Sequence, residues 1–124
     1  MFEISVEETF SSGHALRGYR GKCENPHGHN YKVRVCLAGA ELNAIGLLYD
    51  FKDLKASIRQ ETERLDHQYL NDLEPFREIN PSAENLARFL FERLREQMGS
   101  QSPGIEVKSV TVYETDTTSA VYSA

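Results

Sequence analysis

The chain has 124 residues, with 14 Lys and Arg against 19 Asp and Glu, and a formal net charge of -5 when its histidines are neutral. This length predicts one domain, residues 1–124, that can bury about two-thirds of its unfolded surface without a metal or disulfide. The spread of basic residues argues against a nucleic-acid partner. The acidic start MFEISVEETF and the lack of a long apolar window exclude a secretory signal and a membrane span, so a soluble cytoplasmic protein is expected.

Alternating apolar and polar residues predict strands near both ends of the chain. FEISVEETF, residues 2–10, alternates with period two, and YKVRVCLAG, residues 31–39, resumes that alternation. Residues 11–30 show neither strand nor helix period and predict a long loop, a feature that is often functional. IEVKSVTVYET, residues 105–115, and SAVYS, residues 119–123, predict two more strands, and their short connection favours an antiparallel pair.

Two helices are predicted between these pairs of strands. Asp50 is in position to cap a helix over residues 51–64, and Ser82 is in position to cap a second amphipathic helix that GSQSPG, residues 99–104, ends. The order ββααββ predicts an α+β fold with a four-stranded antiparallel sheet and two helices on one face. Such a sheet leaves two edges and one face uncovered, so a homo-oligomer is expected.

Three of the four histidines flank the predicted loop. His27 and His29 in HGH project from one face if the second strand begins there, and His14 in FSSGHAL follows the first strand. If the two strands pair, the three imidazoles meet, and three neutral nitrogen ligands suit a Zn²⁺ ion with an open position for water or substrate. The alternative is that each histidine is an ordinary polar loop residue.

Cys23, in CENPHGHNY, precedes His27 by four positions and has two readings. It either completes a closed tetrahedral metal site or remains a free thiol beside an open one. A chain that folds without metal has little need of a structural site, whereas a nearby divalent cation favours the thiolate, which can act as a base or nucleophile. Cys36 lies in a predicted strand, and both cysteines are expected as thiols.

Two further positions carry titratable groups that suit chemistry. In LDHQYLN, Asp66 precedes His67, whose position after a helix is explained either by the helix dipole or by a carboxylate that orients an imidazole for proton transfer. Glu114 shares the parity of the apolar Val110. It is either a surface residue at a frayed strand end or a carboxylate that needs a partner, such as the adjacent N–H groups of a pterin or guanine ring.

Taken together, FSSGHAL, Cys-x3-HGHNY, LDHQYLN, NPSAENLA and VYET resemble, in this order and over nearly the whole chain, the 6-pyruvoyl-tetrahydropterin synthase and 6-carboxy-tetrahydropterin synthase family. The resemblance implies the tunnelling fold, with trimers whose sheets close into a barrel, stacked pairs of trimers and sites between subunits. It also implies the following roles: Zn²⁺ ligands at His14, His27 and His29, a general base at Cys23, a proton relay of Asp66 and His67, and a pterin anchor at Glu114.

The substrate that the resemblance implies is 7,8-dihydroneopterin triphosphate. Pyruvoyl enzymes eliminate triphosphate and keep the three-carbon side chain, whereas carboxy enzymes release acetaldehyde and leave 6-carboxy-5,6,7,8-tetrahydropterin for queuosine and 7-deazapurine synthesis. The short interval from Cys23 to His27 resembles the bacterial carboxy enzymes and favours that branch. A non-catalytic zinc-dependent pterin or purine binder is the alternative from another class, but binding alone requires neither a base nor a relay.

Overall fold

The computed structural model describes residues 1–21 and 24–124. Within them lie four strands, two α-helices and two short 3-10 helices, Leu70–Asp72 and Gly99–Gln101. The larger elements are β1 (Phe2–His14), β2 (His27–Gly39), α1 (Phe51–Thr62), α2 (Ala83–Met98), β3 (Ile105–Thr115) and β4 (Thr118–Ser123). The predicted ββααββ order is confirmed.

All four strands form one antiparallel sheet in the order β1-β2-β3-β4. β1 pairs with β2 along its whole length, from Phe2 opposite Gly39 to His14 opposite His27. β3 and β4 form the antiparallel pair expected from their short connection. β1 and β4 are therefore the two edges of the sheet within the chain.

The predicted loop over residues 11–30 is wrong at both ends, because β1 continues to His14 and β2 begins at His27. Polar and glycine residues concealed the strand, yet the core-facing parity of β1 continues through the buried Ser12 and His14. The backbone of β1 is held here from both sides. It pairs with β2, and Gly13 also donates a hydrogen bond of 3.0 Å to a carbonyl in the segment after α1.

The predicted helix caps are both present. The Asp50 carboxylate accepts a hydrogen bond of 2.8 Å from the backbone N–H of Lys52, and the Ser82 hydroxyl accepts one of 3.1 Å from the backbone N–H of Asn85. Each cap satisfies a backbone donor that has no partner inside its helix. α1 ends at Thr62, slightly earlier than the pattern predicts.

The helices and one face of the sheet enclose the apolar core. Its fully buried members include Val33, Val35, Leu37, Val110 and Val112 from the sheet, and Leu54, Ile58, Leu86, Leu90 and Leu94 from the helices. The opposite face of the sheet is polar and carries ion pairs such as Glu7 with Arg34. Among the described residues, no helix is long and apolar enough to cross a membrane.

Candidate metal and substrate site

The pairing of β1 with β2 brings three histidines to one end of the core face. His14 lies directly opposite His27, and His29 lies two residues further along β2. The three side chains offer ring nitrogens that all lie within 4.8 Å of one another, and Nε2 of His14 is 3.0 Å from Nε2 of His27. The structure therefore brings together the three residues predicted as metal ligands.

Backbone carbonyls fix the orientation of two of these rings. Nδ1 of His14 donates a hydrogen bond of 2.7 Å to the carbonyl of Pro81, and Nδ1 of His27 donates one of 2.8 Å to the carbonyl of Asn25. Because a carbonyl only accepts, each neutral ring carries its proton on Nδ1 and leaves a lone pair on Nε2. Metal-binding histidines are typically held in this way by a partner on the second ring nitrogen.

His29 adds a buried nitrogen that the protein does not satisfy. Its Nε2 atom is buried and has no hydrogen-bond partner within residues 1–21 and 24–124. Burial is the main cause that lowers the pKa of both His14 and His29 below the usual histidine range, which favours neutral imidazoles. A buried polar atom without a partner is costly, and three neutral nitrogens fit a Zn²⁺ ion.

The backbone that follows His14 is fixed by two asparagine side chains. The Asn71 amide accepts from the N–H of Ala15 and donates to its carbonyl, both at 2.9 Å. Asn80 makes the same pair of hydrogen bonds with Arg17, again both at 2.9 Å. These bonds join the segment after β1 to the segment that supplies the Pro81 carbonyl. The position of His14 therefore depends on contacts distant in sequence.

Neither asparagine was predicted to support the site. The signal in the sequence was the position of Asn71 in LDHQYLN and of Asn80 in NPSAENLA. Both lie on a connecting segment that is neither a strand nor a long helix. Backbone groups of such segments need hydrogen-bond partners, and amide side chains supply both a donor and an acceptor. Sequence alone did not indicate which backbone groups they would reach.

Asp66 and His67 form the contact that their sequence position predicts. Oδ2 of Asp66 is 3.0 Å from Nδ1 of His67, and Oδ1 accepts a hydrogen bond of 2.9 Å from the backbone N–H of Ser11. That backbone hydrogen bond is the main cause that lowers the pKa of Asp66. His67 has a left-handed φ of 56°, and its own N–H donates to the Ser11 carbonyl at 2.6 Å. Such conformations are costly and cluster at functional sites.

His67 and His29 border the same open cleft, which has a volume of about 350 Å³. The other lining residues are Ser11, Ser12, Gly13, Gly28, Asn30 and Gln68. The cleft therefore reaches from one member of the triad, His29, to His67, and its lining residues are polar residues or glycine. A larger surface cavity of about 510 Å³, lined in part by Arg34 and Phe51, contains none of the predicted site residues.

Glu114 lies beside the triad, close to the end of β3. Its Oε1 atom is 3.9 Å from Nε2 of His14, and its side chain is 27% exposed. The pairing of β3 with β4 passes from Tyr113 directly to Thr115, so Glu114 is the extra residue of a β-bulge. Bulges redirect side chains and are frequent next to active sites. The position of Glu114 on the core face agrees with the parity of its strand in the sequence. The contact of Glu114 with a ligand stays a prediction.

The two cysteines differ in what the structure says of them. The interpretation of Cys23 as a base or fourth ligand concerns a residue that lies outside the described ranges. Cys36 is a free thiol, 3.6 Å from Oε1 of Glu3 on the polar face of the sheet, and burial is the main cause that raises its pKa. Cys36 therefore fits the prediction that it is a strand residue without a part in the site.

Comparisons with known proteins place this chain and its fold in one family. The family model described as 6-pyruvoyl tetrahydropterin synthase matches residues 3–124, and the chain belongs to this family. The chain also matches the solved structure of Caenorhabditis elegans 6-pyruvoyl tetrahydropterin synthase, with a TM-score of 0.88 and 29% identity. This match covers 99% of this chain and 95% of the other. The predicted family and tunnelling fold are confirmed.

Relatives with two different names show similar levels of identity. The 6-carboxy-5,6,7,8-tetrahydropterin synthase of Haemophilus influenzae is 31% identical, over 98% of this chain and 99% of the relative. The human 6-pyruvoyl tetrahydrobiopterin synthase is 36% identical, over 97% of this chain and 90% of the relative. The chain is thus a pterin synthase family protein, and overall identity does not separate the two activities.

Proposed function

We propose that the protein is a zinc-dependent lyase, a 6-carboxy-5,6,7,8-tetrahydropterin synthase. It would convert 7,8-dihydroneopterin triphosphate to 6-carboxytetrahydropterin, acetaldehyde and triphosphate, in queuosine or 7-deazapurine biosynthesis. The observation that carries this proposal is the triad of His14, His27 and His29, whose ring nitrogens converge beside a carboxylate and a cleft. The short interval from Cys23 to His27 supports the carboxy branch.

His14, His27 and His29 would hold the Zn²⁺ ion through ring nitrogens. When bound, the ion supplies a Lewis acid for oxygen atoms of the substrate side chain. The protein's part is to present neutral rings in fixed orientations. The carbonyls of Pro81 and Asn25 fix the rings of His14 and His27, and burial favours the neutral form of His14 and His29.

Two groups would move protons at the cleft. Asp66 contacts the His67 ring at 3.0 Å and would orient it, so that His67 can accept a proton from the substrate side chain and return it. Cys23 would serve as the general base on the substrate, with a thiolate favoured by the nearby cation.

Glu114 would anchor the pterin ring. A carboxylate offers two acceptor oxygens to the adjacent N–H groups of the ring, and such paired, charge-assisted hydrogen bonds give both affinity and orientation. Its position, 3.9 Å from Nε2 of His14, supports a ligand that reaches from the carboxylate to the metal.

Product analysis tests the proposal directly. Zinc-loaded protein is incubated with 7,8-dihydroneopterin triphosphate, acetaldehyde is trapped, and the mass of the pterin product is measured. The proposal requires acetaldehyde together with a 6-carboxylated pterin. A pterin that retains all three side-chain carbons would assign the pyruvoyl activity, the second candidate, which is the activity named for the human relative at 36% identity. Binding of the substrate without turnover would leave a pterin-binding protein.

We also propose that the chains assemble in multiples of three, with sites between subunits. β4 and the part of β1 before Ser11 are edges of the sheet, and they support this assembly because an exposed edge is a template for pairing with another chain. Sedimentation of the purified protein should show a trimer or a dimer of trimers. A fully active monomer would refute shared sites.

A further inference from the structure

Tyr31 occupies the boundary between the histidine triad and the apolar core. Its residue surface is 0% exposed, and its ring stacks on Phe10 with centroids 4.9 Å apart. The same ring meets His14 and His29 edge-on, at centroid distances of 5.8 and 5.4 Å. Tyr31 therefore contacts two proposed metal ligands on the side of the triad that faces the apolar core. Metal binding by the triad does not require the Tyr31 hydroxyl group.

The hydroxyl of Tyr31 is buried and has no hydrogen-bond partner in the part of the chain that the structure describes. A phenylalanine would fill the same space without placing an unpaired polar atom in the interior. Buried tyrosine hydroxyls usually have a partner, and an unpaired one is costly. The Tyr31 hydroxyl is therefore best explained by a hydrogen-bond acceptor that it contacts when the site is loaded.

Glu114 is the acceptor that the sheet places nearest in register. Lys32 pairs with Tyr113, so Tyr31 and Glu114 are the next residues on their strands in the same direction. Glu114 carries its carboxylate at the triad, 3.9 Å from Nε2 of His14. A tyrosine hydroxyl is protonated near neutral pH, so it can donate a hydrogen bond to a carboxylate.

The other candidate acceptor is Nε2 of His29, which is also buried and unpaired among the described residues. In the proposed function this nitrogen binds the metal, and its lone pair is then occupied. A carboxylate has enough acceptor positions to receive one hydroxyl and the two ring N–H groups of a pterin at the same time. Glu114 is therefore the acceptor that remains when the site is loaded.

We propose that Tyr31 is a positioning residue whose hydroxyl donates a hydrogen bond to the Glu114 carboxylate and holds it in the orientation that receives the pterin ring. This inference rests on the proposed function, because it assigns a donor to the carboxylate that would anchor the substrate. It also explains why the boundary between core and site carries a tyrosine.

The test compares Tyr31→Phe, Glu114→Gln and the double variant, with unsubstituted pterin as the probe in calorimetry on the zinc-loaded protein. Tyr31→Phe should weaken pterin binding by about 10–100-fold, the loss expected for one hydrogen bond to a charged group. The double variant should bind no more weakly than Glu114→Gln alone, because the tyrosine acts through the carboxylate. Bound zinc per chain should stay unchanged.

A thermal unfolding measurement distinguishes positioning from a structural role. In the metal-free protein Tyr31→Phe should leave the Tm unchanged or raise it, since it removes an unpaired buried hydroxyl. Tyr122→Phe is the matched control, a partly buried tyrosine that packs against Phe91 and lies opposite Val110, and it should not change pterin binding.

Three results would overturn the inference. They are an unchanged pterin affinity in Tyr31→Phe, additive losses of pterin affinity in the double variant, and a lower zinc content or a lower Tm in Tyr31→Phe. Failure of the wild-type protein to bind pterin would overturn the proposed function as well. Wild-type binding combined with any of the three results would refute only the role of Tyr31.

Discussion

The core-facing side of β2 carries two regions that differ in how their buried groups are satisfied. Toward Gly39, the side chains of Val33, Val35 and Leu37 are 0% exposed and pack in an apolar cluster with both helices. Toward His27, the same face carries imidazoles. In this second region, within the described residues, Nε2 of His29 and the Tyr31 hydroxyl are buried without hydrogen-bond partners.

The pairing of β2 with β1, in contrast, is the same in both regions, whereas β3 pairs with β2 only from Lys32 to Gly39. β2 pairs with β1 without interruption from Gly39 to His27, so the same ladder supports the apolar and the polar end. Apolar burial and backbone pairing stabilise the fold, and the histidine end can therefore carry polar atoms that need a ligand. Stability and ligand binding are thus separated along a single strand.

Loss of a ligand from the histidine end should have the largest effect on function. In His29→Ala, zinc affinity should fall by more than the roughly 10–100-fold typical of losing a second-shell partner, and turnover should be lost with it. The metal-free protein should stay folded, because the apolar end is untouched. Metal analysis after dialysis and circular dichroism measure the two effects. Full zinc retention in this variant would exclude His29 as a ligand.

Cys23→Ala asks whether the segment between the strands adds a ligand or a base. If Cys23 is the base, three imidazoles still hold the ion, so zinc content should persist while turnover falls by roughly 10²–10⁴-fold. If it is the fourth ligand, zinc and activity should fall together. Zinc analysis and a turnover assay on this single variant separate the two cases, and we expect the first.

A substitution at the apolar end should show the opposite pattern. Leu94 of α2 is buried, in the half of the helix that borders Ile105 and Val107, the β3 partners of Gly39 and Leu37. Leu94→Ala should lower the free energy of unfolding by about 2–5 kcal/mol, because the lost contacts leave a cavity. The zinc bound per folded chain should not change. Denaturant unfolding of the metal-free protein measures the loss, with the exposed Arg88→Ala on the same helix as control. Equal losses in the two variants would contradict this division of the face.

The apolar end was predictable because its signals are local. Alternation with period two identified the central parts of all four strands, and Asp50 and Ser82 marked both helix starts in the sequence itself. The parity of Val110 extended to Glu114 and placed that carboxylate on the core face. Each of these predictions used only residues within a few positions of one another.

The histidine end was harder to predict because its partners lie far away in the chain. Ser11 and Gly13 have no apolar periodicity, and their strand conformation is supported by Asp66 and by the backbone of the segment that follows. The carbonyl of Pro81 that orients His14 is 67 residues away in sequence. The spacing of the histidines predicted that they meet only if the two strands pair. Their proposed role as metal ligands came from the family resemblance as well.

Asn71→Ala tests whether hydrogen bonds from a distant side chain support the position of His14. Of these predictions it should have the smallest effect. The change leaves the N–H and the carbonyl of Ala15 without their partners, which should lower the free energy of unfolding by about 1–3 kcal/mol. Because His14 precedes Ala15, its ring should be held less firmly, and zinc affinity should fall by about 10–100-fold, as for other second-shell losses. Asn43→Ala is the matched control, since the Asn43 side chain also makes two hydrogen bonds to the backbone. Its carboxamide oxygen accepts both of them, each at 3.0 Å, in an exposed turn. Competition with a chromophoric chelator measures zinc affinity in both variants. An equal zinc affinity in both would show that His14 keeps its position without Asn71, and that backbone pairing with β2 alone is enough to build the triad.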